Sequence, residues 1–395
     1  MRVDLGDLGF DEGGHLLVKR ALRAAAPGEA VEVTGGAPEM ALHLEVWCRA
    51  EGHRCARGRE GVLIVSPGAA EAARWKGAEP AGHADPRRPG AVAERAPLRW
   101  GLAARGATVE AGSPEFDFRL TGKAEVWADT AAALYAQAAA AQWNPATAIP
   151  WDAAFDLPAE VEDAVVQIMT YLVENETAAL IVPSRFLAQL HPHFREVMQL
   201  LAVQAADEAR HVEVFTRRAL LKRDRLGLST AGGQASLKTL VDEPEFAIAA
   251  FLLSVLGEGS FLVLLWFLER HAPDPVTEAV ARLAAQDEAR HVAFGLAHLR
   301  RRLDEDPGFR SRLSLAVRQR HEALRHTAGL NREVFDALLV VAAGGWDPGQ
   351  LRLGHRRVMG LLADMDAARR NHLRRLGFAD EEAAELSGLH TRNFM

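Results

Sequence analysis

One five-residue motif, Asp-Glu-Ala-Arg-His, occurs twice in this 395-residue chain, at residues 207–211 and again at residues 287–291. In each copy the glutamate and the histidine are three residues apart, so on a helix they share one face and can bind one metal ion together. A single Glu-x-x-His is common on helix surfaces and is weak evidence for a metal. Two identical copies, 80 residues apart, restrict the chain to folds that contain two similar helical halves.

Each copy follows a helical segment that carries a glutamate among apolar neighbours. Glu176 precedes Glu208 by 32 residues, and Glu258 precedes Glu288 by 30 residues. Two antiparallel helix pairs of this kind bring four carboxylates and two imidazoles to the centre of a bundle, where the carboxylates would be costly without cations. Because the donor set is rich in oxygen, it suits iron or manganese better than zinc or copper(I). The predicted metal ligands are Glu176, Glu208, His211, Glu258, Glu288 and His291.

This arrangement resembles the ferritin-like di-iron carboxylate superfamily, in its oxygenase and oxidase branch with the Asp-Glu-x-x-His motif. The resemblance implies a ferritin-like four-helix bundle with two iron ions, or one manganese and one iron, and dioxygen as a co-substrate. It also implies that Asp207 and Asp287 accept the second ring N–H of the metal-bound histidines. An exposed position on the outer helix face is the alternative for both aspartates. Arg210 and Arg290 would either join this network or form surface ion pairs, and the sequence does not decide between the two.

The first ligand helix offers two glutamates, Glu174 and Glu176. The residues three and four positions from Glu176 are all apolar, whereas those around Glu174 include two threonines and a tyrosine. The apolar face of a helix points into a bundle, so we predict Glu176 as the ligand and keep Glu174 as the alternative. No residue beyond the ligand set is predicted as a catalytic acid or base.

From residue 128 to the end, the sequence is helical in character, beginning with Asp129 as a predicted N-cap. Four long helices are predicted at residues 158–191, 194–226, 245–271 and 276–305. Shorter ones are predicted at residues 309–328, 331–343, 348–376 and 380–388. The long segments exceed the average globular helix and suit a long four-helix bundle. The predicted fold is therefore mainly α, a ferritin-like bundle with extra helices after a small α+β domain.

Residues 1–65 predict that small α+β domain, with a helix at residues 16–25 and strands at residues 30–33 and 61–65. The helix, the stretch from Pro27 to Val33 and the pair Trp47-Cys48 are similar to sulfur-carrier domains of the persulfide-relay type. Those carriers present a Cys-Pro pair at the start of the first helix, where this chain has Phe10. The resemblance thus implies a degenerate carrier fold that lacks the nucleophile and serves docking or dimerisation.

Residues 66–127 are predicted to be a linker, because proline and glycine interrupt any regular element there. Within this segment, alternating residues 107–110 and 115–120 predict a hairpin around the turn residues at 112–114. The domain that holds the predicted metal ligands then spans residues 128–395.

The formal net charge is −7 and the chain has only two cysteines, Cys48 and Cys55. The charge argues against a nucleic-acid partner, and two cysteines are too few for a disulfide framework. The N-terminus has no apolar core of the kind that secretory signals contain, so a cytoplasmic location is predicted. Residues 246–268 are apolar enough for a membrane span, but Glu258 at their centre favours a buried bundle helix and no membrane partner.

These features predict a di-iron oxygenase or oxidase that activates dioxygen to oxidise a small organic substrate. The alternative is a ferritin-like iron-storage or metal-scaffold protein without an organic substrate. The oxidase interpretation requires an electron donor, and the resemblance also suggests a homodimer and a carrier protein as partners. Two arginine-rich stretches, residues 300–325 and 352–375, are predicted to be solvated helix faces, with a landing site for an acidic carrier as the alternative.

Overall fold

A computed structural model describes residues 1–26, 28–68, 75–85, 87–88, 90–325 and 332–391. The chain divides into two compact units. The first comprises Met1–Ala91 and Ala103–Glu115, and the second comprises Val92–Leu102 and Phe116–Met395. This division describes contacts within the folded chain, and the domain boundaries expected at residues 65 and 127 stay predictions.

The first unit contains a four-stranded sheet with two helices. The strands are β1 (Arg2–Asp4), β2 (Val31–Thr34), β3 (Arg54–Arg57) and β4 (Leu63–Ser66), and the helices are α1 (His15–Ala24) and α2 (Met40–Ala50). The sheet order is β1-β2-β4-β3, with β1 parallel to β2 and the other pairs antiparallel. Alternate residues of β2 and β4, among them Val33 and Val65, are buried, as expected for strands with one face on a core.

Phe10 fills part of this core and begins a short π-helical turn, Phe10–Gly14, in front of α1. Gly13 within that turn has φ +109°, a backbone conformation that favours glycine. The predicted helix at residues 16–25 and both predicted strands are found within one to three residues of their expected bounds.

The predicted hairpin of residues 107–110 and 115–120 is wrong. Strand β6 (Thr108–Val109) pairs instead with β5 (Glu79–Pro80), nearly thirty residues earlier in the chain. Residues 115–120, which the structure describes in full, contain no strand, and Leu120 forms an isolated bridge with Leu190. Local alternation and a turn signal predict pairing between neighbours in sequence, and they cannot reveal a distant strand partner.

The second unit is built from eleven described helices. They are α3 (Lys123–Val126), α4 (Ala131–Ala140), α5 (Ala159–Leu187), α6 (Arg195–Ala219), α7 (Ala231–Val241), α8 (Phe246–His271), α9 (Pro275–Glu305), α10 (Phe309–Leu324), α11 (Arg332–Ala343), α12 (Pro348–Arg375) and α13 (Asp380–Thr391). Helix α5 packs along α6, α8 packs along α9, and α6 meets α9 between the two pairs. Outside them, α11 covers α5 and α12 covers α8. The predicted fold class, a mainly α protein with a four-helix bundle and extra helices, is confirmed.

Two local expectations in this unit are wrong. The helix predicted at residues 194–226 ends at Ala219, and α7, which begins with Gly232 and Gly233 in its first turn, lies before residue 245, where no helix was predicted. Thr230 caps α7 by accepting the Gly233 amide, so the glycines form the first helical turn. Asp129 does not cap α4, because it accepts the indole N–H of Trp127 instead.

Helix α8 contains the long apolar segment and changes form along its length. Its central residues, Phe251–Gly257, are π-helical, and α-helix resumes at Glu258. Both α8 and α5 are long and apolar enough to cross a membrane by length and composition, but 89% of the apolar window of α8 is buried inside the unit. Burial in the bundle therefore accounts for the apolar sequence of α8.

A buried ion cluster fixes the ends of three bundle helices. The Arg218 guanidinium, near the end of α6, donates to Glu162 Oε1 on α5 at 2.6 Å and to Asp274 Oδ2 at 2.7 Å. Asp274 also caps α9 by accepting the amides of Val276 and Thr277. All three charged side chains are at most 5% exposed, and their mutual pairing satisfies charges that would otherwise be very costly to bury. This cluster sets the register of α5, α6 and α9, which carry five of the six predicted ligands.

Candidate metal centre

The four central helices bring all six predicted ligands together. Helix α5 contributes Glu176 and α8 contributes Glu258, while α6 and α9 contribute one Glu-x-x-His pair each. Every one of the six side chains is at most 5% exposed. They form two groups in which the donor atoms all lie within 4.8 Å of one another: Glu176, Glu208, His211 and Glu288, and Glu208, Glu258, Glu288 and His291. Glu208 and Glu288 belong to both groups, as two adjacent metal sites with bridging carboxylates require.

The two histidines direct the same ring nitrogen, Nδ1, at this cluster. His211 Nδ1 lies 3.2 Å from Glu208 Oε2, 3.4 Å from Glu288 Oε1 and 3.6 Å from Glu176 Oε2. His291 Nδ1 lies 3.0 Å from Glu208 Oε1 and 3.4 Å from Glu288 Oε2. The two halves of the site are therefore alike in geometry as well as in sequence.

Several buried polar atoms of the cluster have no hydrogen-bond partner among the described residues. They include Glu176 Oε1, Glu258 Oε2 and both carboxylate oxygens of Glu288. An unsatisfied buried polar atom costs about 1–3 kcal/mol, and more when it is charged, so their concentration in one place demands an explanation. Carboxylate oxygens and imidazole nitrogens are suitable donors for iron and manganese, and the residues therefore fit a two-metal centre.

The pKa shifts of the cluster show that its carboxylates need positive charge nearby to stay ionised. Burial, followed by the charges of Glu208 and Glu288, raises the pKa of Glu176 well above its ordinary value. Burial and the charge of Glu288 do the same to the pKa of Glu258. Without metal, protons must therefore supply part of the positive charge that divalent cations would bring.

The pKa values of the other members shift toward the charged form of each side chain. Burial would raise the pKa of Glu208, but the charge of His291 and a hydrogen bond with His211 hold it well below its usual range. Burial would lower the pKa of both histidines, and their carboxylate neighbours outweigh it and raise each one well above its ordinary value. Protons on the imidazoles thus balance the carboxylates that remain ionised.

The aspartates of the two motifs contact the histidines in a crossed arrangement. Asp287 Oδ2 lies 3.2 Å from His211 Nε2, and Asp207 Oδ2 lies 3.3 Å from His291 Nε2. Each aspartate thus serves the histidine of the other half. The alternative of an exposed outer-face position is wrong for both, since each is fully buried.

The arginines of the motifs belong to the same network. Arg210 Nη2 donates to Asp207 Oδ1 at 2.5 Å and to Asp287 Oδ2 at 2.9 Å, and Arg290 is paired with Asp287. Both arginines therefore pair with the buried aspartates. The sequence left open whether they join this network or form surface ion pairs, and the structure shows that they join it. Burial would raise the pKa of Asp287, but its contacts with His211 and Arg210 hold it well below its usual range.

Two residues that sequence reasoning missed complete the network from the segment after α4. Gln142 Nε2 donates to Asp207 Oδ1 at 2.8 Å, and Trp143 Nε1 donates to Asp287 Oδ2 at 2.8 Å. The Trp143 ring is also nearly parallel to that of His211, 16° between planes with centroids 6.5 Å apart. No spacing or motif signal in the sequence marks either residue.

Glu174, the alternative first-helix ligand, is half-buried and lies outside both donor groups. Glu258 also contacts the other half of the bundle, because Gln204 Nε2 on α6 donates to its Oε1 at 3.2 Å.

A cavity adjoins the cluster. Glu176, Glu258 and Glu288 form part of its wall. The rest is mostly apolar, from Tyr171, Ala179, Leu237, Leu240, Leu253, Phe261 and Met365, with Asn175, Ser236, Ser260, Arg320 and His390 as polar members. A mostly apolar wall with a few polar groups is typical of sites that bind small organic molecules.

No protein-family profile matches the sequence, and no curated protein matches it. Among solved structures, the chain is similar to a variant of an R2-like ligand-binding oxidase with aerobically reconstituted Mn/Fe cofactor, at 18% identity over 64% of this chain and 92% of that one, with a TM-score of 0.43. It is similar to the R2-like ligand-binding oxidase from Sulfolobus acidocaldarius at 17% identity over 69% and 97% of the two chains, with a TM-score of 0.43. A protein with aldehyde deformylating oxidase activity from Synechococcus shows 18% identity over 58% and 96%, with a TM-score of 0.40.

Proposed function

We propose that this protein is a di-metal oxidase or oxygenase that uses dioxygen to oxidise a small organic substrate. One observation carries the proposal: the six buried ligands, several of whose oxygen atoms have no hydrogen-bond partner, lie beside a mostly apolar cavity that Glu176, Glu258 and Glu288 help to line. A purely structural metal site has no need of an adjoining cavity, whereas an oxygen-activating centre needs space for a substrate.

Two iron ions, or one manganese and one iron, are the proposed cofactors. One would be held by Glu176, Glu208, His211 and Glu288, and the other by Glu208, Glu258, Glu288 and His291. When bound, the ions supply the redox chemistry with dioxygen that no protein side chain provides. The four carboxylates carry the charge that two divalent cations neutralise, so the loaded centre is electrically balanced.

The protein's own residues orient the ligands and shape the reaction space. Asp207 and Asp287 accept the Nε2–H of His291 and His211, which fixes each ring with Nδ1 toward the cluster. Arg210 forms ion pairs with both aspartates and so balances their negative charge. The apolar cavity wall excludes water and positions the substrate beside the carboxylates.

Iron storage or a metal-scaffold role without an organic substrate is the second candidate. It requires only the six donors, and it leaves the apolar cavity without a purpose. Helices α11 and α12 also cover the outer faces of α5 and α8, which a storage cage would need for packing subunits together. Both features favour the oxidase proposal. An electron donor, a homodimer, a carrier-protein partner and a cytoplasmic location complete the proposal.

Anaerobic loading with Fe(II), followed by metal analysis and stopped-flow mixing with oxygen, tests this function. We expect about two metal ions per chain and a rapid optical change on mixing. Glu176→Gln should lower the metal content, and Glu174→Gln on the same helix is the matched control that should not. Full metal content in a His211→Ala/His291→Ala double variant would overturn the site. Accumulation of a mineral core with no organic substrate oxidised would favour storage instead.

A further inference from the structure

The helix that carries Glu258 changes form directly before this residue. Residues Phe251–Gly257 of α8 are π-helical, and the Glu258 amide donates to the carbonyl of Leu253, five residues earlier. In an α-helix this bond reaches back four residues, and successive side chains are about 100° apart around the axis. The extra residue therefore turns Glu258 by about 100° relative to an uninterrupted α-helix. Whether Glu258 faces the other donors thus depends on the π-helical segment.

A histidine on α12, outside the four central helices, holds this segment. His372 Nδ1 lies 3.2 Å from the carbonyl oxygen of Val255. Burial lowers the pKa of His372, and the nearby charge of Arg375 adds to this effect, so the ring is neutral at neutral pH. Because a carbonyl oxygen can only accept a hydrogen bond, Nδ1 carries the hydrogen and donates. The bond connects α12 to the π-helical segment, three residues before Glu258.

Gly259 allows the histidine to come this close. A Cβ at this position would lie 2.7 Å from His372 Nδ1 and 2.8 Å from its Cε1. A larger residue would therefore push the ring away from the Val255 carbonyl. The corresponding ligand of the first half, Glu176, lies within continuous α-helix, so the two halves are alike at their donors and differ in how the helix behind them is held.

Helix α9 contacts the same segment in a different way. Gly295 lets Ser254 and Val255 pack against the α9 backbone, because it has no side chain of its own. This packing limits how far the segment can move but makes no directional bond through a side chain. The hydrogen bond from His372 acts on one particular carbonyl of the segment. A π-helical turn is rare in proteins, and a bond of this kind favours it over the ordinary α-helix.

We propose that His372 is a positioning residue of the metal centre, which holds the Val255 carbonyl and so keeps α8 in the π-helical form that directs Glu258 at its donor group; this inference rests on the proposed function. Glu258 belongs to the donor group of His291 and not to that of His211. Loss of the bond from His372 therefore weakens the first group and leaves the second group able to bind its ion.

Titration of the metal-free protein with Mn(II), followed by electron paramagnetic resonance, tests this proposal. Two adjacent Mn(II) ions couple magnetically, whereas a single bound ion gives the spectrum of an isolated ion. At a Mn(II) concentration that just fills the wild type, we expect a coupled spectrum from the wild type and an isolated-ion spectrum from His372→Leu. The affinity of the group that contains Glu258 should fall about tenfold or more in this variant.

Two further variants on α12 make the comparison specific. Asparagine has the shape of leucine and an amide that can donate in place of Nδ1, so His372→Asn should restore the coupled spectrum. His355→Leu makes the same kind of change at an exposed position of the same helix, and it should behave like the wild type.

Combined variants assign the loss to one donor group. If His372 acts through Glu258, adding Glu258→Gln to His372→Leu should lower the metal affinity no further. Adding Glu176→Gln instead should weaken the remaining group as well, because Glu176 belongs to the group of His211.

Three results would overturn the proposal: a coupled spectrum in His372→Leu, equal weakening of both donor groups, or no recovery in His372→Asn. If His372→Leu does not fold, Gly259→Ala, which displaces the histidine ring, should give the isolated-ion spectrum, and a coupled spectrum there would be equally contrary. Oxygen consumption of the Fe(II)-loaded wild type is measured separately. Its absence, with Mn(II) binding that depends on His372, contradicts the proposed function alone. Oxygen consumption with Mn(II) binding that does not depend on His372 contradicts this inference alone.

Discussion

His211 Nε2 lies 3.2 Å from Asp287 Oδ2, although the two residues belong to different copies of the repeated motif. The reverse contact, His291 with Asp207, has nearly the same length at 3.3 Å. Each half of the bundle therefore orients the histidine of the other half. Neither helix pair can form its half of the site alone, and the two must pack together before either histidine is fixed.

The crossed contacts predict which of the two donor groups loses metal affinity when each aspartate is replaced. Asp287→Asn removes the charge facing His211 and should lower the affinity of the group that contains His211 by about 10–100-fold. Asp207→Asn should do the same for the group that contains His291. Competition with a metal-binding dye during Fe(II) or Mn(II) titration measures both affinities.

Asp163→Asn provides the control for these two variants, because Asp163 forms an exposed ion pair with Arg223 and lies outside the network. Affinities that match this control in both motif variants would show that the crossed contacts do not act on the metals.

Replacing Glu258 should weaken metal binding without changing the stability of the metal-free protein. Burial and the charge of Glu288 raise the pKa of Glu258 well above the ordinary value, so the metal-free protein favours the neutral acid at this position. Glu258→Gln keeps that neutral shape and should change the unfolding temperature of the metal-free protein little. It should remove the part of the stabilisation by Fe(II) that comes from the donor group containing Glu258, which for one ion at one hundred times its Kd is about 2.7 kcal/mol.

Thermal unfolding with Fe(II) and with chelator measures both effects. Glu269→Gln, on the same helix and outside both donor groups, should keep the full metal-dependent gain. An equal gain in Glu258→Gln would remove Glu258 from the ligand set.

Because α9 packs closely on the π-helical part of α8, we predict that a larger residue at Gly295 destabilises the protein. A Cβ there would lie 2.8 Å from Ser254 Cβ and 3.3 Å from Val255 Cγ2. Gly295→Ala should therefore lower the free energy of unfolding by about 1–3 kcal/mol. Gly360→Ala, on an exposed helix position with nothing within 4 Å, should raise it by about 0.5–1 kcal/mol. Urea unfolding compares them, and equal effects of the two variants would contradict the close approach.

Local spacing was enough to predict which six residues lie together at the centre of the bundle. The three-residue step from Glu208 to His211, and its repeat in the second half, follows from helix geometry alone. The apolar surroundings of Glu176 distinguished it from Glu174, which the structure leaves outside both donor groups. Helix lengths and turn residues likewise predicted the fold class and most helix positions, because both are local properties.

Contacts between distant segments could not be predicted. The crossed aspartates depend on how α6 and α9 face each other, and Trp143 reaches Asp287 across 144 positions. Arg320 lies in an arginine-rich stretch that was predicted to be a solvated face, and it is buried although Arg318, two residues before it, is exposed. The π-helical segment of α8 has no sequence signal of its own, since it depends on the helices packed around it.

The buried thiol of Cys48 supports the prediction that the first unit does not act as a sulfur carrier. Burial, with a smaller contribution from Cys55, raises the pKa of Cys48 to about 12, so almost no thiolate exists at neutral pH. Incubation with a cysteine desulfurase and labelled cysteine should leave the chain unlabelled. In urea both cysteines should react readily with iodoacetamide, which is the control for reagent quality. A stable persulfide on Cys48 or Cys55 would refute this prediction.

His298 makes the helical unit sensitive to acid. It is fully buried, with Nδ1 3.1 Å from the Trp127 carbonyl oxygen and its ring 5.0 Å from that of Phe246. Burial, aided by the nearby charges of Arg302 and Arg301, lowers its pKa to about 4. The neutral form is the one that fits the fold, and Nδ1–H donates to the carbonyl.

Because the folded pKa of His298 is lower than the unfolded value of about 6.5, the unfolded chain binds a proton that the folded chain does not. Its contribution to stability is present in full above about pH 6.5 and is lost as the pH falls toward 4, by up to about 1.4 kcal/mol per pH unit.

His298→Gln can still donate to the Trp127 carbonyl and has no proton to gain. We therefore expect its free energy of unfolding to fall less steeply than that of the wild type between pH 6.5 and pH 4.5. Urea unfolding with chelator present, so that metal release adds no pH dependence, measures both slopes, with His355→Gln at an exposed site as the control. Parallel curves for the wild type and His298→Gln would show that His298 does not titrate on unfolding.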